Sequence, residues 1–458
     1  MFFKSWSAIT QSQSAKLALM TLTTLTAVHC TTNSKRHFAP SNETLAARTF
    51  TVNASTNSNE KCAAFRAQLP SDFKQGFITY SEGEEPSTRT VKVFYYGRWK
   101  SNPLVFVNGG PGNSSWKFFD TLKESLNREP IDFLFFDQKG TGCSSPPPAL
   151  LEANYPLWAK YGSDGHAVDI EQLRAKLHLG KQITVFGQSF GSKVALRYLA
   201  RYPRSTRAVV IHGDSFVSDE ATIVDDIADG LRHQQQFLES RLNANPKLKP
   251  LLMNLAETYT TGPCAQDETG LIKACGFDLI RDLGHYYMLS SQEKIERLLA
   301  QLNDPEQSAD AFTEAVNSYA KWKLDARTFI LGYLDYRHLF RNQSVCELAM
   351  ARVEMPPWYL NSCATSRAQQ SFLKSLQPHL SPNLLTQELV EKVLRQNPTQ
   401  SVFEILSAND LLNTENVKDF NIPHWHKIPL KESDHFSYFK NPEFWSVLKQ
   451  AQKSRHSI

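Results

Sequence analysis

Short apolar runs alternate with helical patterns through the first half of the chain. Residues 103–107, 131–136 and 181–186 are runs of β-branched and aromatic residues, which is typical of buried strands. Residues 192–200 then carry apolar positions at helical spacing, and 207–211 form another apolar run. Strands that alternate with helices in this way predict a mostly parallel sheet with helices on both faces.

Further strands are predicted on either side of this region. Residues 76–80 and 90–96 alternate apolar and polar positions, which predicts a hairpin. Near the end of the chain, 401–406 and 425–430 regain strand character, and 442–450 predicts a closing helix. The sheet is therefore expected to draw its strands from both ends of the globular part.

The stretch between these two groups of strands has a helical pattern and contains no convincing strand. Its predicted helices are 227–242, 292–302, 309–324 and 387–395. We therefore expect a core formed by 61–217 and 401–458, with 218–400 inserted before the last strands as a helical lid domain.

The N-terminal segment has the pattern of an export signal. Two lysines precede an apolar run at 17–28, which is too short to span a bilayer. Cys30 follows as at a bacterial lipoprotein cleavage site, although His29 departs from the small residue that is usual there. We expect 1–30 to be a signal peptide, with membrane anchoring through lipid on Cys30 as one form of it. An apolar, disordered leader is the alternative.

Residues 31–60 are rich in Thr, Ser, Asn and Ala and show no periodicity. Such a composition cannot bury enough apolar surface to order itself, so a disordered linker is expected. Together with the signal peptide, it predicts an exported protein that is periplasmic, secreted or lipid-anchored at the cell envelope.

Composition narrows the partners and cofactors. The chain has 458 residues, of which 41% are hydrophobic, and this suffices for a large core. Lysine and arginine total 50 against 46 acidic residues, and no dense basic run occurs, so a nucleic acid is not expected as a partner. No phosphate-binding glycine turn, Cys-x-x-Cys or His-Glu-x-x-His occurs, so we expect no cofactor and no metal site.

The cysteine count is consistent with export. Seven cysteines are present, and setting Cys30 aside leaves an even six in the globular part. Two pairs are close in sequence, and the third would be long-range: Cys264–Cys275, Cys346–Cys363 and Cys62–Cys143. Six free cysteines are the alternative.

A Gly-x-Ser-x-Gly motif lies between the predicted strand 181–186 and the helix after it. Its letters are Gly187-Gln-Ser-Phe-Gly191. On a sharp strand-to-helix turn, this motif lifts a serine hydroxyl above the edge of a sheet. Ser189 is therefore a candidate nucleophile. In the alternative interpretation, Ser189 caps the helix that starts at Phe190.

A serine nucleophile needs a histidine base, and the histidine needs a carboxylate to orient it. Asp410 follows the predicted strand 401–406, and His435 follows 425–430. Because chemistry gathers at the carboxyl ends of parallel strands, we expect Asp410 to be the acid and His435 the base. A turn role for Asp410 is the alternative. The weaker candidates are Glu404, Asp434, His424, His426 and the pair His212 and Asp214.

An oxyanion hole is the second requirement, since backbone N–H groups must face the developing negative oxygen. The amide of Phe190, at the start of a helix, is expected to supply one donor. The turn Asn108-Gly-Gly-Pro-Gly112 is expected to supply the other, from Gly109 or Gly110. A plain turn at 108–112 is the alternative.

Three turns together resemble the proline iminopeptidase and tripeptidyl aminopeptidase family of α/β-hydrolases. That family carries His-Gly-Gly-Pro-Gly, Asp-Gln-Arg-Gly-x-Gly-x-Ser and Gly-x-Ser-x-Gly-Gly. The corresponding segments here are Asn108-Gly-Gly-Pro-Gly112, Asp137-Gln-Lys-Gly-Thr-Gly-Cys-Ser144 and Gly187-Gln-Ser-Phe-Gly-Ser192. The resemblance implies an α/β-hydrolase fold over about 75–215 and 400–440, with a lid where the family places its own.

The resemblance also implies a serine aminopeptidase that acts through a Ser-His-Asp triad and an acyl-enzyme. Its substrate would be a peptide whose free amine is held by carboxylates from the lid. Glu220, Asp225 and Asp226 lie near the lid entrance and are guesses for that role. Asn108, Lys139 and Ser192 depart from the family motifs, and the loop at Asp410 lacks a proline often found there; these departures concern substrate choice.

Two other functions stay open at this point. One is an esterase or amidase that acts on small substrates, and a requirement for a free substrate amine would discriminate between it and an aminopeptidase. The other is a non-catalytic binding protein with a hydrolase frame, which the intact triad candidates Ser189, Asp410 and His435 disfavour.

Overall fold

A computed structural model of the chain describes its core nearly completely and the rest in part. The described residues are 49–52, 58–82, 88–146, 154–213, 385–408, 410, 422–431 and 433–453, with parts of 224–311, 348–353 and 374–379. The chain separates into two units, Met1–Pro40 and Ser41–Ile458, and every described residue belongs to the second.

The main sheet has eight strands in the order β11-β10-β7-β6-β4-β5-β3-β2. β2 and β3 form an antiparallel hairpin and β3 pairs antiparallel with β5, whereas the other neighbours are parallel. This confirms the predicted α/β class with a mostly parallel sheet. The bounds are β2 Lys74–Glu82, β3 Arg89–Arg98, β4 Leu104–Val107, β5 Phe133–Phe136, β6 Ile183–Gln188, β7 Thr206–His212, β10 Ser401–Ser407 and β11 Trp425–Leu430.

The central strands bury side chains on both faces of the sheet. In β4, Val105 and Val107 join one apolar core, whereas Leu104 and Phe106 join the other. Successive strand residues point to opposite faces, so a strand with a core on each side must be apolar throughout. This is why the sequence shows continuous apolar runs here rather than an alternating pattern.

Helices cover both faces. α4 Ser163–Lys176, α5 Phe190–Arg201 and α8 Gln387–Gln396 supply residues to the core that contains Val105. α2 Ser115–Arg128 and α9 Pro442–Lys453 supply residues to the opposite core. The remaining described helices are α1 Ser58–Gln68, α3 Tyr155–Trp158, α6 Leu248–Thr258 and α7 Gln292–Asn303.

The placement of α8 corrects the expected lid boundary. Val390, Val393 and Leu394 of this helix are buried in the same core as α5. The helix therefore belongs to the core domain, so the core resumes before residue 401. An amphipathic stripe shows that a helix has a buried face, but it does not show which domain the face packs against.

A second, three-stranded sheet joins two regions that are far apart in sequence. β1 Thr49–Val52 pairs in parallel with β8 Cys264–Asp267, which pairs antiparallel with β9 Lys273–Cys275. The linker prediction for 31–60 is therefore wrong at β1 and at the start of α1, and the expectation of no strand in 218–400 is also wrong. Strands of three or four residues carry too little periodicity to be recognised alone.

One predicted disulfide is formed. Cys62 in α1 is bonded to Cys143, with an S–S distance of 2.05 Å. In the second sheet, the register places Cys264 opposite Cys275. Cys30, Cys346 and Cys363 lie outside the described residues. Among the helices that are described, none combines the length and apolar character needed to cross a membrane.

Candidate active site

Ser189 lies on the turn between β6 and α5. Its φ of 54° and ψ of −129° place it in a region that non-glycine residues rarely adopt. The backbone N–H of Ser189 donates to the carbonyl oxygen of His212 at 2.7 Å, which fixes the turn to the end of β7. The strained turn that the motif predicts is therefore present.

The glycines on either side of Ser189 permit this turn. A Cβ atom at Gly187 would lie 2.1 Å from the carbonyl oxygen of Gly191, and a Cβ atom at Gly191 would lie 2.2 Å from that of Val107. Both obstacles are backbone atoms that cannot move aside. The motif requires glycine at both positions because helix α5 passes so close to strands β4 and β6.

Asp410 and His435 form a buried pair. Nδ1 of His435 lies 3.0 and 2.9 Å from the two carboxylate oxygens of Asp410. Both residues follow the carboxyl ends of their strands, Asp410 after β10 and His435 after β11. A carboxylate only accepts hydrogen bonds, so Nδ1 carries a proton, and in a neutral imidazole Nε2 then keeps its lone pair.

The hydroxyl of Ser189 has no hydrogen-bond partner among the described residues. His212 lies next to both residues: its carbonyl oxygen accepts a hydrogen bond from Ser189 N–H, and its ring centroid is 5.6 Å from that of His435. The structure thus brings Asp410 and His435 into contact. It fixes the backbone of Ser189 to the end of β7.

His212 is the residue of this site that the sequence interpretation set aside. Its Nε2 lies 2.8 Å from Oγ of Ser407, and its ring packs at a tilt against Tyr438, with 3.9 Å between the ring centroids. Complete burial lowers the pKa of His212 to about 3, which outweighs the opposing effect of Asp410. His212 is therefore neutral near pH 7. It packs beside Asp410 without forming an ion pair with that carboxylate.

The remaining sequence candidates lie elsewhere or have other partners. Glu404 is buried within β10 and accepts a hydrogen bond from Trp425 Nε1 at 2.8 Å, and burial raises its pKa. Asp434 accepts from the backbone N–H of Phe436 at 2.7 Å. The histidines near the start of β11, His424 and His426, are at the opposite end of that strand from His435. Asp214, Glu220, Asp225 and Asp226 lie outside the described residues.

The oxyanion-hole candidates adjoin Ser189. Phe190 begins helix α5, so its N–H is one of the unpaired donors at a helix start. A Cβ atom at Gly109 would lie 2.7 Å from Cβ of Ser189, so the loop after β4 closely approaches Ser189. The amide of Gly109 donates to Oε1 of Gln188 at 3.2 Å, whereas Gly110 N–H has no acceptor among the described residues.

The turn from Asp137 to Ser144 is organised by the carboxylate of Asp137. This buried group accepts from the backbone N–H and Oγ of Ser115, from Trp116 Nε1 and from Cys143 N–H, at 2.7 to 2.9 Å. Burial raises its pKa even though these hydrogen bonds oppose the effect. Asp137 therefore ties the start of α2 to the turn that carries the disulfide.

Lys139 is fully buried behind this turn. Its Nζ pairs with the carboxylates of Glu82 and Asp169, the latter at 3.5 Å, and donates to the carbonyl oxygen of Gly165 at 3.2 Å. Burial alone would raise the pKa of Asp169, but the charge of Lys139 and a hydrogen bond with His166 lower it below its usual value. Lys139, which stands where the motif that this turn resembles has arginine, is therefore a buried cation whose charge is balanced by two carboxylates.

His212, Asp410 and His435 offer ligand atoms that lie within 4.8 Å of one another. Imidazole and carboxylate are ligand types that zinc accepts. His435 Nδ1 and Asp410 are already hydrogen-bonded to each other at 2.9 Å, and this bond explains why two of these three groups lie so close together.

Comparison with known proteins matches one family model and several proteins to part of this chain. A family model described as the alpha/beta hydrolase fold matches residues 102–267. A proline iminopeptidase of Lactobacillus delbrueckii subsp. lactis is 30% identical over 136 residues, which are 27% of this chain and 43% of that protein. A proline iminopeptidase of Arabidopsis thaliana is 36% identical over 121 residues, which are 26% of this chain and 28% of that protein.

The chain spans less than half the length of these curated relatives in the matched region. A solved structure of a proline iminopeptidase from Mycobacterium smegmatis aligns with a TM-score of 0.42 at 12% identity. That alignment covers 82% of this chain and 97% of the other.

Proposed function

We propose that this chain, an α/β-hydrolase whose core resembles the proline iminopeptidases, is a serine peptidase that removes residues or short peptides from the amino end of peptides. The observation that carries the proposal is the buried hydrogen bond between His435 and Asp410, formed at the strand ends beside the strained Ser189 turn. The partial likeness to proline iminopeptidases supports the choice of a peptide with a free amine as substrate.

The geometry supports acyl transfer in two steps. Ser189 Oγ attacks the carbonyl carbon of the scissile bond while Nε2 of His435 takes its proton. Asp410 holds Nδ1–H of His435 and so keeps Nε2 available as the base. His435 then gives the proton to the leaving amine as the carbon–nitrogen bond breaks, which leaves an ester on Ser189.

The second step returns the enzyme to its starting state. A water molecule attacks the ester carbonyl while Nε2 of His435 takes one proton from the water. The bond to Ser189 breaks and the proton passes to its Oγ, so the acyl group leaves as a carboxylic acid. In both steps the carbonyl oxygen becomes negative, and backbone amides that include Phe190 N–H stabilise it.

We also propose that the protein is exported, with 1–30 as its signal peptide and lipid on Cys30 as the means of any membrane attachment. The Cys62–Cys143 disulfide supports export, because disulfides persist in oxidising compartments. The proposed partners are peptide substrates.

A four-substrate panel tests the proposed activity with the purified protein and the Ser189→Ala variant. The panel is a prolyl amide, a tripeptide amide, the same tripeptide amide with its amine acetylated, and a short acyl ester. We expect hydrolysis of free-amine substrates, none of the acetylated one, and loss of the activity in Ser189→Ala. Ester cleavage alone would replace the peptidase proposal with a small-substrate esterase. Equal rates in the variant would contradict a serine hydrolase altogether.

A further inference from the structure

The loop after β4 is held by the side-chain amides of other residues. Nε2 of Gln138 donates to the carbonyl oxygen of Asn108 at 2.9 Å, and the N–H of Gly109 donates to Oε1 of Gln188 at 3.2 Å. These carbonyl and N–H groups belong to one planar peptide, the one that joins Asn108 to Gly109. Its orientation is therefore fixed at both ends.

The next peptide, which joins Gly109 to Gly110, is held at its carbonyl end. Nδ2 of Asn108 donates to the carbonyl oxygen of Gly109 at 2.9 Å and to that of Asn113 at 2.9 Å. This peptide is trans, since the cis bond in the loop is the one between Gly110 and Pro111. In a trans peptide the N–H points away from the C=O, so the bond made by Asn108 also sets the direction of Gly110 N–H.

Two of the three side chains that hold these peptides belong to residues next to Ser189 or next to the glycine that approaches it. Gln188 directly precedes Ser189, and Asn108 is 2% exposed. The Oδ1 atom of Asn108 is buried without a partner, so the hydrogen bonds of this side chain are made by Nδ2. The loop itself closely approaches Ser189 at Gly109, one residue before the amide whose donor is unused.

We propose that Asn108 and Gln188 are positioning residues that hold Gly110 N–H as the second oxyanion donor. The inference rests on the proposed function. Gly109 N–H is already used by Gln188, whereas Gly110 N–H is unpaired among the described residues and has its direction set by Asn108. An oxyanion donor is effective because it is oriented before the charge develops, so the side chains that orient it contribute to the rate.

The rate at which a fluorophosphonate labels Ser189 tests this inference. In labelling, Ser189 Oγ bonds to phosphorus and fluoride leaves, and in the transition state the phosphoryl oxygen becomes more negative at the oxyanion hole. The reaction does not depend on which peptide the protein prefers. Asn108→Asp removes the Nδ2 donor with little change of shape, and Gln188→Met removes the acceptor at similar length. We expect each to lower the maximal labelling rate about 10- to 100-fold, part of the loss known for a deleted donor.

Two further readouts separate positioning from general damage. The fluorophosphonate concentration that gives half the maximal rate should be unchanged, because reagent binding precedes the development of charge. In Gln188→Met, which introduces no charge, the midpoint of the pH profile of labelling should also be unchanged, because Asp410 and His435 are not altered. Gln75→Met is the matched control, since Gln75 is exposed on β2, and it should label like the unaltered protein.

Thermal unfolding establishes whether each variant folds, and Gln188→Met decides the test alone if Asn108→Asp does not fold. Unchanged maximal rates in the folded variants would overturn the positioning role. A rise in the half-maximal fluorophosphonate concentration with no fall in the maximal rate would overturn it as well. If the unaltered protein is not labelled at Ser189, the proposed function itself fails. If it is labelled and the variants label equally fast, only this inference fails.

Discussion

Gly213 leaves the space that the imidazole of His435 occupies. A Cβ atom at Gly213 would lie 2.4 Å from Cε1 and 2.7 Å from Nδ1 of His435, and 3.2 Å from a carboxylate oxygen of Asp410. The φ of Gly213 is 82°, a conformation that also favours glycine. The residue that follows β7 therefore decides whether the histidine and its carboxylate can meet.

Gly213→Ala should displace His435 from Asp410. A shift of about 1 Å in a catalytic group costs on the order of 100-fold in rate, so we expect at least that loss in labelling or hydrolysis. Gly76→Ala is the matched control, because its new Cβ would meet the hydroxyl end of the Tyr95 side chain at 2.8 Å, far along a movable group. Similar losses in both variants would show that the effect is not specific to His435.

The neutral state of buried His212 should make the protein less stable in acid. Its folded pKa of about 3 lies below the ordinary value of 6.5, so between these values the unfolded chain binds a proton that the folded chain does not. Stability from this group is complete above about pH 6.5 and is lost as pH falls, by about 1.4 kcal/mol for each unit. Urea unfolding at pH 7, 6, 5 and 4 measures the slope.

The variant His212→Asn isolates this contribution. Asp410 and His435 face His212, and Asp169, whose pKa is lowered, also makes the protein less stable in acid, but all three remain in the variant. The difference between the two slopes therefore reports His212 alone. Between pH 6 and 4, we expect the free energy of unfolding of the variant to fall less steeply, by about 1.4 kcal/mol for each pH unit. Equal slopes would mean that His212 titrates near its ordinary pKa in the folded protein.

Removal of the buried cation at Lys139 should destabilise the core. Lys139→Met leaves Glu82 and Asp169 buried without their shared partner, and such a loss costs about 3–5 kcal/mol. Lys123→Met is the control, because Lys123 and Asp120 form an exposed pair on α2 and should change stability by less than about 0.5 kcal/mol. Urea unfolding at pH 7 measures both variants, and equal losses would contradict the buried network.

The disulfide between Cys62 and Cys143 should stabilise the fold substantially. It links residues 81 apart in sequence, and loss of such a cross-link typically costs about 2–5 kcal/mol. Cys62→Ser alone should lose as much stability as the double variant with Cys143→Ser, because either change removes the bond. Urea unfolding of the single and double variants measures the free energy of unfolding of each. A double variant that loses clearly more stability than Cys62→Ser alone would contradict a bond between these two cysteines.

The core strands could be predicted from the sequence because their signal is local. The run 425–430 coincides with β11, and 401–406 matches β10 to within one residue. Val402, Phe403 and Ile405 are buried in β10, whereas only Trp425 and Leu430 are buried in β11. Apolar and β-branched residues in a short run are visible without knowledge of the partner strand. The placement of Asp410 and His435 followed from the same strands, since it needed only the residues just beyond their ends.

What the sequence did not predict depends on distant partners. β1 is a strand only because β8 lies beside it, and neither has enough residues to show a period. His212 is the last residue of β7 and was weighed, but its position beside Asp410 and its lowered pKa arise from burial among groups from three strand ends. The choice between Gly109 and Gly110 likewise depends on hydrogen bonds from Gln188 and Asn108.

The pairing of β1 with β8 has a consequence for the order in which the protein can assemble. A ribosome makes Thr49–Val52 long before Cys264–Asp267, so β1 has no partner strand until β8 has been made. Unpaired strand edges are sites where nascent chains associate wrongly. Among the described strands, the first to be made therefore cannot pair before β8 has been made, and a chain that stops before β8 would leave that edge open to its neighbours.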